Sequence, residues 1–198
     1  MAFPLQRHQL AGPLTILLIA LLFFLFNDHI YSHLVYEREA ILQGQWWRLI
    51  TGHFLHSNFN HLLLNSGGVI LLWALHGDDY KTSSYLYLML IMTLGTGLGL
   101  LILSPQMQWY VGLSGALHGL FVWGARQDIK HGRRSGWLLM LGVIAKIIYE
   151  QAVGASTELA QFIDANVAID AHLYGTICGL IWISTTWLIS RRNRNIGK

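Results

Sequence analysis

A serine and a histidine held side by side can make an activated nucleophile and the base that takes its proton. Ser114 and His172 are candidates for that pair because each sits among residues too small to keep two helices apart. Gly112, Gly115 and Gly119 flank Ser114, and Ala171, Gly175 and Gly179 recur at i, i+4 and i+8 along the stretch that begins near His172. Small residues at that spacing let helix backbones approach closely, as a Ser–His hydrogen bond between two helices requires. His61 and Asn65 are also i, i+4 and share a helical face. Each has a plainer reading: Ser114 as a packing residue, His172 as an interfacial histidine, and His61 and Asn65 as ordinary interhelical hydrogen-bonding groups.

The elements that must position these residues are membrane helices. Of 198 residues, 54% are hydrophobic and 12% charged, whereas soluble domains carry about 25% charge. The apolar residues come in blocks. A span needs roughly 20 mostly apolar residues, and six candidates emerge: 13–30, 60–76, 84–103, 112–126, 136–153 and 171–190. Pro13 is placed in the first turn of the first span, where its missing N–H costs little. No small-residue cleavage pattern follows that span, so it reads as a helix rather than a secretory signal. The fold class is an all-α membrane bundle, read as one domain over 1–198, with an external segment of about 28–59 that is too long and mixed for a simple loop.

Basic residues set the orientation. Arg7, Lys81, Arg126, Lys130, Arg133, Arg134, Arg191, Arg192, Arg194 and Lys198 all fall on one side, which is therefore cytoplasmic. The opposite side carries only Arg38 and Arg48 among Asp28, Glu37, Glu39, Glu158, Asp164 and Asp170. Both termini are then cytoplasmic. The second, fourth and sixth spans enter from the outer side, so His61, Asn65, Ser114 and His172 converge near one depth. At about 1.5 Å per residue they lie a few ångströms to about 10 Å below their helix starts. That is sheltered, yet within reach of water.

With these residues in order, the chain resembles the rhomboid family of intramembrane serine proteases. The resemblance rests on Trp47-Arg48 in the external segment, His56, His61-Leu62-Leu63-Leu64-Asn65, Gly112-Leu113-Ser114-Gly115, and Ala171-His172 with Gly175 and Gly179. It implies a bundle of six transmembrane helices and a Ser114–His172 dyad without a triad Asp. It also implies an oxyanion site from His61, Asn65 and backbone N–H groups near Ser114, and no cofactor. Gly112 to Gly119, with His118 where many rhomboids place Tyr, looks like the rhombosortase branch. That branch implies substrates anchored by a C-terminal transmembrane tail of the Gly-Gly sorting type, in a bacterial inner membrane with the site open to the periplasm. His118 is left with two roles, stacking on His172 or hydrogen-bonding it.

Other features are given bland readings. His53, His56 and His61 lack a His-Glu-x-x-His partner motif, so no metal is expected, and His56 is assigned to ordering the external segment. Lys146 and Glu150 read as an i, i+4 pair snorkelling outward, with a proton path as the alternative. Cys178 is single and reads as packing. A small transporter would spread ionisable groups through the bilayer depth. An aspartyl protease needs two facing Asp. A catalytically inactive rhomboid-like binding protein would not be expected to keep Ser114, His172, His61 and Asn65 together. Nucleic acid is not an expected partner, because the basic residues cluster at span ends.

Overall fold

A computed structural model describes residues 3–196. Lys198 and the Arg194 side chain, both counted in the basic C-terminal group, lie outside what is described. The expected spans fall on α1 (Arg7–Leu25), α5 (Phe59–His76), α6 (Thr82–Leu103), α7 (Ser114–Lys130), α8 (Ser135–Val153) and α10 (Ile169–Ile196), except that the first, 13–30, runs past the end of α1 into a separate helix. Four of them, α1, α6, α8 and α10, are long and apolar enough to cross a membrane. Helices α5 and α7 are 18 and 17 residues long. They are the two that carry His61, Asn65, Ser114 and His118, whose polarity lowers their apolar character.

The first span begins earlier than expected. Gln6 and Gln9 bond reciprocally across the N-terminus of α1, starting the helix at Arg7 and leaving Pro13 in its interior rather than its first turn. The helix breaks at Phe26 (φ −103°, ψ 14°), where α2 (Asn27–Leu34) begins. The external segment continues through α3 (Arg38–Leu42), α4 (Arg48–Thr51) and a 3-10 turn over Gly52–Phe54. It also adds a small β element to the expected all-α architecture. In it β1 (Tyr36–Glu37) pairs antiparallel with β2 (Trp109–Tyr110), Tyr36 opposite Tyr110 and Glu37 opposite Trp109. This ladder ties the external segment to the chain that leads into Ser114. A further helix, α9 (Thr157–Ile163), joins α8 to α10, with Ser156 Oγ accepting the Leu159 N–H at 3.0 Å.

Helix α7 is the centre of the bundle and packs against α5, α6, α8 and α10. Around it Leu72, Met92, Leu113, Ala116, Leu120 and Val122 are buried. The outer faces are apolar instead: Leu18, Leu138, Leu141, Ile148 and Leu188 are exposed. A surface of that kind is stable against lipid, not water.

Candidate active site

Ser114 occupies the first position of α7, where helix N–H groups have no intrahelical partner. Its Oγ lies 2.9 Å from Nε2 of His172, which is buried in the first turns of α10. Glycine makes this approach possible. A Cβ on Gly175 would overlap the Gly115 carbonyl oxygen, and one on Gly179 would fall 2.7 Å from the Gly119 carbonyl oxygen. Backbone therefore packs on backbone between α7 and α10, as their small-residue spacing requires.

His61 and Asn65 line the same cavity, of about 270 Å³, with Ser114, His118, Lys146 and His172. Gly112 shows how near they are. Its φ is +106°, a conformation that favours glycine, and a Cβ there would fall 2.5 Å from His61 Nε2 and 3.2 Å from Asn65 Nδ2. Asn65 Nδ2 is buried without a hydrogen-bond partner among the described residues, a donor left facing the nucleophile's neighbourhood. His61 Nδ1 lies 3.0 Å from Ser57 Oγ, which donates to the Ile163 carbonyl at the end of α9. A neutral His61 can donate from Nε2 only when the Ser57 hydroxyl turns toward Nδ1. A second cavity of about 490 Å³, lined by Tyr31, Ser57, His61, Tyr110, Ser114 and Asn166, opens above Ser114.

His118 takes the first of its two expected roles. Its ring stacks on His172 with centroids 4.2 Å apart and planes 23° apart. Its Nδ1–H donates to the Ser114 carbonyl at 2.7 Å. The supporting residues of the external segment form a frame. Buried Arg48 donates to the carbonyls of Val35 (2.8 Å) and Ser32 (2.7 Å) and to Gln45 Oε1 (2.8 Å). Trp47 Nε1 donates to the His33 carbonyl at 3.0 Å. His56 donates from Nδ1 to the Phe54 carbonyl at 3.1 Å and meets the His61 ring edge-on at 5.1 Å. Burial holds the His53 imidazole down to about 4, and burial with His61 nearby holds His56 down to about 3.

One expectation is corrected. Lys146 and Glu150 do pair, at 2.5 Å, but Glu150 turns inward. It is 6% exposed, and its Oε2 accepts from His172 Nδ1 at 2.9 Å. A buried carboxylate needs partners for both oxygens, and inside the bundle these are Lys146 and His172. Asp170, nearer in sequence, is engaged elsewhere by Ser104 (2.5 Å) and Gln106 (3.1 Å). Sequence held a usable signal for Glu150. Helix α8 runs antiparallel to α7, so its last turn lies at the depth of Ser114.

His118, Glu150 and His172 each offer one potential metal-ligand atom within 4.8 Å of the others. To hold an ion there, His172 would have to surrender its bond to Glu150 or to Ser114, and its ring lies stacked on His118. The donor set fits hydrogen bonding better than coordination.

Comparison with known proteins identifies the family. The Rhomboid domain family matches residues 43–190, which include His61, Asn65, Ser114, His118, Glu150 and His172. Over 146 residues the chain is 28% identical to the Putative rhomboid protease YdcA of Bacillus subtilis (strain 168), covering 71% of this chain and 66% of that protein. It is 28% identical over 148 residues to Rhomboid protease GluP of the same organism (72% and 26% covered). With Rhomboid-like protein 11, chloroplastic, of Arabidopsis thaliana, it shares 26% identity over 161 residues (74% and 53% covered). The matches thus span less than two thirds of each relative's own length. Matched by the Rhomboid domain over most of its length, and carrying four helices apolar enough to cross a bilayer, this multi-pass membrane protein belongs to the rhomboid family.

Proposed function

We propose that this chain is an intramembrane serine endopeptidase whose nucleophile is Ser114 and whose base is His172. The observation that carries the reading is the 2.9 Å contact between Ser114 Oγ and His172 Nε2 inside an apolar bundle. In the proposed reaction Nε2 takes the hydroxyl proton as Oγ attacks the scissile carbonyl carbon. The carbonyl electron pair moves to oxygen, and that oxyanion accepts from Asn65 Nδ2, from His61 and from the N–H groups that open α7. Each such donor is worth about 2.7–4 kcal/mol in the transition state. The imidazolium then protonates the leaving amine as the C–N bond breaks. Water hydrolyses the acyl-enzyme by the same steps in reverse order, with the mouth above Ser114 as its route in.

In this reading six helices of one domain cross the inner membrane of a bacterium with both termini cytoplasmic, and the site opens to the periplasm. The substrates are membrane-anchored proteins with a C-terminal transmembrane tail, of the Gly-Gly sorting type. What supports that substrate class is the Gly112–Gly119 sequence with His118 beneath the nucleophile. The test is cleavage of a Gly-Gly-tailed membrane substrate by the purified protein, alongside Ser114→Ala and His172→Ala. Either change should lower kcat on the order of 10⁶-fold, the scale for removing a nucleophile or its base. Labelling by a serine-directed fluorophosphonate should vanish in Ser114→Ala. Undiminished cleavage by either variant would overturn the assignment.

A further inference from the structure

Resting on that protease reading, we propose that Glu150 is a positioning residue that completes a Ser114–His172–Glu150 relay, with the fifth membrane helix supplying the third member. His172 spans the other two groups. Its Nδ1 is 2.9 Å from Glu150 Oε2 and its Nε2 is 2.9 Å from Ser114 Oγ. A carboxylate can only accept. Glu150 therefore fixes the proton of neutral His172 on Nδ1 and leaves the Nε2 lone pair for the serine hydroxyl. When Nε2 takes the serine proton, the carboxylate faces an imidazolium and stabilises it without itself being protonated. His118 restrains the same ring from its face, at 4.2 Å, so His172 is held both at its edge and on its flat side.

Lys146 offers a rival account of Glu150. Its Nζ reaches Oε1 at 2.5 Å, so the carboxylate could be there only as the counter-ion of a membrane lysine. The exposures argue otherwise. The Lys146 side chain is 47% exposed and that of Glu150 only 8%. Lys146 lines the same cavity as Ser114 and His172, and as its counter-ion alone Glu150 would need only Oε1, with no call to bury Oε2 against the His172 ring. Glu150 instead faces inward, and its second oxygen is spent on His172. The lysine in turn supplies a donor for the oxygen that His172 does not use.

The experiment measures kcat and KM for cleavage of the Gly-Gly-tailed membrane substrate in liposomes, with thermal unfolding to confirm that each variant is folded. Glu150→Gln should lower kcat by up to about 10⁴-fold, the loss when a triad carboxylate is replaced by its amide, while KM stays within about two-fold. Glu150→Asp, which keeps the charge, should recover part of that loss. In a His172→Ala background Glu150→Gln should add nothing, because residues acting as one unit are non-additive. The combined Lys146→Met and Glu150→Gln protein separates the two accounts. It should remain as slow as Glu150→Gln alone; a return to the wild-type rate would make Glu150 a counter-ion and overturn the proposal. Wild-type kcat in Glu150→Gln would do the same while leaving the protease reading intact. Failure of the wild-type protein to show Ser114-dependent cleavage would instead remove that reading itself.

Discussion

Helices α7 and α8 are neighbours of similar length, yet they are held in opposite ways. Ten of the 17 residues of α7 are buried, whereas α8 buries four of its 19, Gly136, Val143, Ile147 and Glu150. The grip on α8 is a narrow stripe that runs from Gly136 near its start, through Val143 and Ile147, to Glu150 near its end. At the inner end a Cβ on Gly136 would fall 2.6 Å from the Ala125 carbonyl oxygen, and Asp128 accepts from Arg133 (3.0 Å) and Ser135 (3.1 Å). At the outer end the hold is polar, through Glu150. Between them, α8 presents Leu138, Leu141, Ile144 and Ile148 outward. The proposed nucleophile and base thus ride on a pair of helices locked backbone to backbone, while the group proposed to orient the base rides on a helix held by a narrow buried stripe. Few buried contacts mean a low local cost of opening, so of the two helices α8 is the one that can shift more readily, at the cost of the bond between Glu150 and His172.

The contrast is broken most severely by substituting its glycines. Gly175→Ala places a methyl on the Gly115 carbonyl oxygen, and neither atom is the end of a flexible chain. Overpacking of this kind costs about 1–3 kcal/mol or more. Because it parts α7 from α10, it should also reduce Ser114 labelling at least 100-fold, a Ser–His pair being intolerant of a displacement near 1 Å. Gly142→Ala on α8 is the counterpart, since nothing lies within 4 Å of its added methyl. It should leave labelling unchanged and raise the melting temperature slightly, by the ~1 kcal/mol that glycine costs in a helix interior. Equal melting temperatures for the two variants would remove the distinction between a locked and a loosely held helix.

A smaller effect separates the two restraints on His172. His118 on the locked helix supports the face of the ring and Glu150 on the loose helix supports its edge. His118→Tyr keeps an aromatic face at that place and should retain most of the cleavage rate. His118→Ala removes both the stacked ring and the 2.7 Å bond to the Ser114 carbonyl, and should cost about 10- to 100-fold in kcat, within the 1–3 kcal/mol range of a lost buried contact. An inactive His118→Tyr protein would mean that the imidazole's hydrogen bond matters more than its stacking.

The legibility of this molecule in its sequence follows the same division. The six apolar blocks, and the glycine spacing that brings α7 onto α10, are periodic features that sequence displays directly. Ser114, His172, His61 and Asn65 could be placed at one depth because each lies in the first two turns of a helix that the basic residues orient the same way. Glu150 escaped because it ends a helix travelling the other way, and because its i, i+4 lysine supplied a ready surface explanation. The inward face of α8 is the stripe of Gly136, Val143, Ile147 and Glu150, set by tertiary contacts that no local pattern states. The β1–β2 ladder was hidden for a similar reason: two-residue strands carry no alternation to read. Pro13 misled in the opposite direction, since a helix-start signal gave way to the Gln6–Gln9 cap upstream.

The smallest effect concerns the roof over the outer end of α7. His53 lies beside Tyr110 (3.4 Å to its hydroxyl), and His56 lies beside His61 (ring centroids 5.1 Å apart). Both are held neutral by burial, at about 4 and about 3 against an ordinary value of 6.5. A folded value below the unfolded one means that the unfolded segment binds more protons once pH drops under about 6.5. The stability these neutral rings contribute is therefore complete above about pH 6.5 and is lost as pH falls toward 4 and then 3. At 1.36 kcal/mol per pH unit, each costs about 2 kcal/mol by pH 5. The melting temperature should fall between pH 7.5 and pH 5, and His56→Gln, which cannot titrate, should fall less. Because the roof contacts the α7 side of the site, acid should weaken Ser114 labelling before it frees the Gly136 end of α8, which hydrogen exchange along α8 would report. A His56→Gln protein with the same pH slope as wild type would place the acid sensitivity in some other group.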